Sequence, residues 1–375
     1  DTLVIAQSAA MIKVARGEAK DAVEQLKTLV PTYSEIHGPQ SSPTLALKNN
    51  LARAHYVNGQ LDEALDLASV VYETRLQSKG ERSLATIIAG SNFAAYLMET
   101  SRQSEAIPIL ERLIEPARVH LGPDHLQTLI VTNRLGTCYL RLNDLNRAVP
   151  LIEESLQRSE ATYGPTHHRT HGAANSLAKA YLNQGQYEKA VGQFSRVHAN
   201  SIETRGADHP DTLTLANNLA AAHRLNKDYA AAISQFQTTL TAQRQKPGVR
   251  HRQTLRTMLN LVAALQDASR TREAAQVCQE AADVSESHLG LSNPQTQTAL
   301  SLLGLCYLEL DLHREALAPL KKCLDARQES MPEHWLYFHS MSVLGEAYLG
   351  LKDHETAEPL LTEALAGLES RRARI

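Results

Sequence analysis

Apolar and small residues come along this chain in pairs of bursts at helical spacing, each pair split by a short polar break. Leu135, Gly136 and Tyr139 form one burst, and Ala148, Ile152 and Leu156 the next. Steps of three and four residues put each burst on one face of a helix, so the pattern predicts a helix, a turn and an antiparallel helix. Turn formers stand in the breaks, as in Asn58-Gly59-Gln60, Asn143-Asp144, Gln184-Gly185-Gln186 and Asn226-Lys227-Asp228. A longer segment joins one pair to the next, such as Leu121-Gly122-Pro123-Asp124-His125 or Gly206-Ala207-Asp208-His209-Pro210. Glycine there ends the second helix, and Pro43, Pro210 or Pro294 suits the first turn of the following one.

The pairs repeat. A small residue near the start of the second helix stands at Ala22, Ala64, Ala106, Ala148, Ala190, Ala232, Ala274 and Ala316, each 42 residues after the last, with a ninth copy at Ala357 41 residues on. Glycine keeps the same register from Gly38 to Gly290, and threonine from Thr2 to Thr296. Three columns at one period predict an all-α solenoid, a right-handed stack of about nine helix-turn-helix units forming a single array over 1–375. The approximate repeats are 1–42, 43–84, 85–126, 127–168, 169–210, 211–252, 253–294, 295–335 and 336–375. The residue before each first helix is Ser41, Ser83, His125, His167, His209, His251 or Asn293, a column of helix-capping types. Four histidines 42 residues apart invite a metal-ladder interpretation, but packed helices lie about 10 Å apart, too far for one ion to be shared.

Composition narrows the function classes. Hydrophobic residues make up 43% and aromatic ones only 5%, a core of Ala, Leu and Val suited to close helix packing. The formal net charge of −3 gives no basic excess for a nucleic-acid backbone. No run approaches the ~18 apolar residues of a membrane helix, so neither nucleic acid nor membrane is an expected partner. The start at Asp1 within the helical pattern, with no basic and apolar leader, is the expectation for a piece of a longer protein. Cys138, Cys278, Cys306 and Cys323 lack any C-x-x-C or Cys/His metal spacing and sit in apolar columns, so buried thiols in a reducing, cytoplasmic setting are expected, with no cofactor. Nothing resembling a P-loop, nucleophile elbow, zinc-helix or dinucleotide motif is present, and Glu153-Glu154 falls on an outer second helix as solvated surface. A non-enzymatic scaffold follows.

Leu-Gly-x-x-Tyr, then Ala nine residues later and an apolar residue four beyond, stands at Leu135-Gly136, Tyr139, Ala148 and Ile152, at Leu303-Gly304, Tyr307, Ala316 and Leu320, and at Leu344-Gly345, Tyr348, Ala357 and Leu361. This resembles the tetratricopeptide repeat signature. The usual unit has about 34 residues. The longer second helix and Leu-Gly-Pro-Asp-His-type loop are similar to the 42-residue subfamily of kinesin light chains and many bacterial regulatory proteins. Armadillo and HEAT arrays share the period, but these columns and the absence of a third helix per unit argue against them, and the helical pattern excludes WD40. Departures stand at the tyrosine column, where Lys13, His55, Leu97, His223 and Leu265 occur; His55, Leu97 and His223 are bulky enough to pack there. The ninth unit enters through the aromatic stretch containing Trp335, Tyr337 and Phe338, which closes the last interface or offers a partner hot spot. No further polar helix follows up to Ile375, leaving the last pair's outer face exposed or covered by another segment.

The resemblance implies that first helices line a concave groove. Fifteen and fourteen residues before the column alanine stand Asn49-Asn50, Ser91-Asn92, Asn133-Arg134, Asn175-Ser176, Asn217-Asn218 and Leu259-Asn260. Asparagine is a mediocre helix former, and its run through six units has two explanations. The carboxamides grip the backbone of an extended peptide, as the asparagine ladder of kinesin light chains does, or they bridge neighbouring repeats. Adjacent groove offsets hold Arg53, Arg141, Lys179, Arg224 and Arg256, which with Arg134 make the middle of the face basic; Glu99, Asp267, Glu309 and Glu346 stand mostly towards the other end. The expected partner is a protein or peptide, with acidic or C-terminal carboxylate groups matching the arginines. Self-association through the terminal pairs is the alternative.

Overall fold

The computed structural model describes residues 2–16 and 18–370. Its described residues form eighteen helices and no strand, nine pairs for the nine repeats. They fall into two compact units, Asp1–Gln186 and Tyr187–Ile375. The first unit holds α1 (Thr2–Arg16), α2 (Ala19–His37), α3 (Ser42–Val57), α4 (Leu61–Lys79), α5 (Leu84–Glu99), α6 (Gln103–Leu121), α7 (Leu126–Arg141), α8 (Leu145–Tyr163) and α9 (His168–Asn183). The second holds α10 (Tyr187–Arg205), α11 (Pro210–Leu225), α12 (Tyr229–Gln245), α13 (Arg252–Asp267), α14 (Thr271–Leu289), α15 (Pro294–Glu309), α16 (His313–Ser330), α17 (Trp335–Gly350) and α18 (His354–Glu369). Ile375 and the side chain of Thr2 lie outside the described residues. First helices such as α3 and α7 run 16 residues and second helices such as α4 and α8 run 19, which is where the long repeat spends its extra length.

Each sequence column has a physical task. All nine column alanines are fully buried, at 0% exposure. The signature glycine serves a close approach of the two helices of a pair: a Cβ on Gly304 would sit 2.3 Å from Leu320. Larger residues fill the space around this contact, with Phe194 and Phe236 wholly buried four residues after their alanines. Where tyrosine is replaced, His55 and Leu97 are buried at the same place, so the column tolerates any bulky side chain that fills it. The four cysteines are buried free thiols; Cys278 Sγ donates to the Ala299 carbonyl at 3.2 Å.

The loop columns form one device. The loop glycines from Gly38 to Gly290 have φ between +72° and +108°, backbone that only glycine adopts without strain. Six residues on, the threonine hydroxyl donates back to that glycine's carbonyl, at 2.8 Å for Thr44, Thr128, Thr170 and Thr254. The capping column closes the next helix: Nδ1 of His125, His167, His209 and His251 accepts from the backbone N–H two residues later at 3.1–3.2 Å. Histidine therefore caps here through an unprotonated ring nitrogen. Ser83 alone in this column makes no side-chain cap bond. Among the described residues no group of three or more His, Cys, Asp or Glu is placed to hold a metal ion, and no helix is long and apolar enough to cross a membrane.

The ninth pair enters differently because Met331, with φ −153°, stands where the others have glycine; the residue missing from this repeat comes off α16, which runs 18 residues where α14 runs 19, and the loop keeps its four residues. Phe338 turns inward against Gly367 of α18, closing that hairpin, while Trp335 stays 40% exposed.

Candidate functional site

In the first unit, α3, α5, α7 and the start of α9 line a groove of about 550 Å³. Eleven of its fourteen lining residues lie 21, 18, 14, 11 or 7 before the column alanines, a stripe with steps of three and four that marks one face of each first helix, and Asn49, Tyr56 and Tyr96 flank it one position away. The packing columns occupy the other faces, so the stripe varies without disturbing the core.

Three arginines reach this groove: Arg53 from α3, Arg134 from α7 and Arg169 from the first turn of α9. Arg134 donates to the Ser91 carbonyl at 2.6 Å and to its hydroxyl, both neutral acceptors. Burial pulls its pKa down to about 10; Tyr96 opposes the shift, and the nearby Arg169 adds to it. Glu99 is the one carboxylate on the groove lining, and it lies 3.3 Å from Arg141, which also donates to the Met98 carbonyl. The arginines thus outnumber the acids, and the acid present is engaged.

Beside them, Tyr56 and Tyr96 stack with ring centroids 5.1 Å apart. Burial pushes the Tyr96 hydroxyl up to about 12, so the pair offers a neutral aromatic surface next to the cations. A smaller cavity of about 160 Å³ adjoins, sharing Ile130, Arg134 and Arg169 and lined also by Asn133. Asn133 Oδ1 is buried there with no hydrogen-bond donor among the described residues, a costly state for an amide oxygen.

The asparagine columns bridge repeats in two places. Asn92 Nδ2 donates to Asn49 Oδ1 at 3.2 Å, and in the second unit Asn260 Nδ2 donates to Asn217 Oδ1 at 3.3 Å. Arg134 makes the equivalent bond to Ser91, so one spacing of 43 residues carries all three links. Asn49, Asn50 and Asn92 also line the groove, and the carboxamides of Asn49 and Asn92 have capacity beyond the bond they share. Asn175 and Lys179 stand on α9 of the same unit, half-buried and exposed.

The second unit brings the rest of the sequence-derived set onto α11 and α13. Asn217 is buried, Asn218 half-buried, and Arg224 lies 3.0 Å from Asp267. Arg256 is exposed along its side chain as a whole, but partial burial of its charged end, and secondarily the neighbouring Arg252, lowers its pKa. Glu309 accepts from Gln266 at 3.4 Å and Thr271 at 3.2 Å.

Sequence reasoning missed Arg169, Gln127 and Tyr96. Arg169 and Gln127 continue the stripe by one further turn towards the helix start, a signal present in the spacing; Tyr96 sits in an otherwise small-residue packing column, where its size alone distinguishes it. Glu154 also differs from a solvated surface acid: it holds Arg118 at 2.6 Å and Arg158 at 3.2 Å.

Tetratricopeptide repeat models match residues 44–76 and, in overlapping windows, 84–161, 132–194, 169–245, 211–287, 253–329 and 295–370. No curated protein matches the chain in sequence. Among solved structures, the Rap protein complexed with competence and sporulation factor is 12% identical, with 100% of this chain and 99% of that one covered and a TM-score of 0.61. The apo quorum sensor NprR from B. thuringiensis is 14% identical, with 97% of each chain covered and a TM-score of 0.61. The kinesin light chain nearly identical TPR-like repeats of Podosopora anserina are 24% identical over 54% of this chain and 95% of that one, with a TM-score of 0.46. With matched windows spanning most of its length and the column residues buried as the repeat requires, the chain belongs to the tetratricopeptide repeat family.

Proposed function

We propose that the chain is a non-catalytic scaffold whose first-unit groove binds an extended, acidic segment of a protein partner. The observation that carries this reading is the convergence of Arg53, Arg134 and Arg169 on one groove whose only carboxylate, Glu99, is already engaged by Arg141. A buried guanidinium held only by neutral acceptors gains most when a carboxylate arrives, because the pair forms where water is partly excluded. The amides of Asn49, Asn50 and Asn92, and the unpaired Asn133 oxygen, suit the N–H and C=O groups of an extended backbone. The Tyr56–Tyr96 stack adds apolar area beside the charges. The Rap neighbour, solved with competence and sporulation factor, is consistent with a bound factor on such a fold.

The test uses acetylated ten-residue peptides containing three glutamates, against a series with glutamine at the same positions, read by fluorescence anisotropy. The glutamate series is expected to bind at least about tenfold tighter, the equivalent of ~1.4 kcal/mol. Arg134→Met with Arg169→Met should erase that difference while the circular dichroism spectrum and urea midpoint stay close to the parent's. Equal affinity for both series, or a preference that survives the double substitution, refutes the reading.

A further inference from the structure

The first unit holds a further cavity, of about 530 Å³, where the end of α4 meets the starts of α3 and α5. It shares no residue with the groove. Arg75 and Lys79 enter it from α4, Ser42 from the start of α3, and Ser83 and Ala85 from the start of α5; no carboxylate of the described residues lines it.

Both cations lack partners that their column counterparts have. Arg75 stands eleven residues beyond its alanine, where other pairs hold the smaller Ala117, Ser159, Ser201 and Ser285. The other arginine of that column, Arg327, donates to the Ser340 hydroxyl at 2.6 Å and to the Leu336 carbonyl at 3.2 Å. Ala89 stands at the Ser340 position in the third pair, so the Arg75 guanidinium keeps only a carbonyl bond, to Ala85 at 2.9 Å. The residue is nonetheless only 9% exposed, and burial alone lowers its pKa. A buried guanidinium without an anion loses hydration that one carbonyl does not replace. Lys79 repeats the contrast. Its counterpart Arg205 pairs with Asp211, and the counterpart of Asp211 here is Ala85. Among the described residues Lys79 has no ion-pair partner. Ser83, alone in the capping column, makes no side-chain cap bond, so its hydroxyl is uncommitted and the first N–H groups of α5 have no side-chain acceptor.

We propose that this cavity binds a phosphate monoester, taken by Arg75 and Lys79 with the Ser42 and Ser83 hydroxyls and the start of α5 as further donors. Two cations match a charge of about −2 at neutral pH, and three acceptor oxygens use hydroxyl and N–H donors that a single carboxylate would leave idle. The space exceeds what a bare ion fills, leaving room for the group that carries the phosphate. A phosphorylated serine of a protein partner and a small sugar phosphate present the same group, and the experiment separates them.

Isothermal titration calorimetry on the full chain uses an acetylated Gly-phosphoserine-Gly amide, glucose 6-phosphate, and the same peptide with glutamate in place of phosphoserine. At least one ester should bind about tenfold or more tightly than the glutamate peptide. Arg75→Gln, a residue type the column already holds at Gln243, and Lys79→Ala, at an exposed position, should each weaken that binding by about tenfold. Ser83→Asp, which places a carboxylate in the cavity, should do the same. Arg134→Met with Arg169→Met, in the groove, should leave it unchanged. Tighter binding of the phosphopeptide assigns the site to a modified protein partner, and tighter binding of glucose 6-phosphate to a small metabolite; either supports the proposal. Failure of both esters to bind at millimolar concentration overturns it, as does equal affinity for the glutamate peptide or binding that survives Lys79→Ala and Ser83→Asp. Binding lost in the groove variant instead would place the phosphate among the groove arginines and equally overturn it.

Discussion

Arginines on the first helices of the two units meet different partners. In the first unit Arg134 donates only to Ser91, and Arg53 and Arg169 reach the groove beside it. In the second, Arg224 meets Asp267 at 3.0 Å, and Glu309 is held by Gln266 and Thr271. The frame beneath is unchanged: column alanines at 0% exposure, loop glycines at positive φ and threonine ties occur in both. What separates Arg134, held by neutral acceptors, from Arg224, held by a carboxylate, is therefore a few residues between the packing columns, which the core does not constrain.

The largest expected effect tests that division of labour. Phe236→Ala, at a wholly buried column position, should lower stability by about 3–5 kcal/mol, since it removes an aromatic side chain from a close-packed interface. Arg134→Met should change it by no more than about 1 kcal/mol, because the charge lost was costly to bury and the two bonds to Ser91 offset that cost only in part. Urea denaturation of both variants measures the contrast. Similar losses would mean that the stripe is part of the core after all.

Next come exchanges that make one unit resemble the other. Ile130 lines the groove next to Arg134, so Ile130→Glu supplies the missing carboxylate and should weaken capture of glutamate peptides by about tenfold, ~1.4 kcal/mol. Asp267→Asn releases Arg224 and should give the second unit a few-fold gain in affinity for the same peptides; the pair is half exposed, so stability should move by less than about 1 kcal/mol. Anisotropy titration of each variant reads both. If Ile130→Glu binds as the parent does, the difference between the units has no functional weight.

Much of the frame was readable from the chain itself, for a physical reason. Solenoid packing is periodic, so a residue needed at one interface is needed at all of them, and Ala148, Gly122 and Thr128 recur as columns. The groove has no such redundancy. Arg134 could be placed on the correct face by counting, but its lack of a carboxylate partner depends on Ser91 and Glu99 one repeat earlier, which spacing does not reveal. The asparagine run proved ambiguous for a related reason: Asn92 and Asn260 each bridge to the preceding repeat, while Asn92 also faces the groove. Both explanations use the same residue type, and only geometry divides its hydrogen bonds between them.

The capping column sharpens the statement that the frame is common. His125→Ala in the first unit and His251→Ala in the second should each cost about 1 kcal/mol, because each removes one acceptor for an otherwise unpaired helix-start N–H. Ser83→Asp, at the position where no side-chain cap bond forms, should add up to about 1 kcal/mol. Unequal losses at His125 and His251, measured by thermal and urea unfolding, would show that the loops of the two units are not equivalent.

The smallest effect is a pH dependence carried by two partly buried histidines of the second unit. Burial lowers the pKa of His198 on α10, and burial together with Arg327 lowers that of His339 on α17. A histidine whose folded pKa lies below its ordinary value, about 6.5, refuses a proton that the unfolded chain accepts. Its native environment is therefore fully favourable above that ordinary value, and stability declines as pH falls from there towards the folded pKa. His198→Gln and His339→Gln, which cannot titrate, should flatten the decline between pH 7 and pH 5 in urea midpoints. In the parent, amides of α10 and α17 should lose protection on acidification, and in the double variant they should keep it. A double variant as acid-sensitive as the parent would place the proton uptake elsewhere.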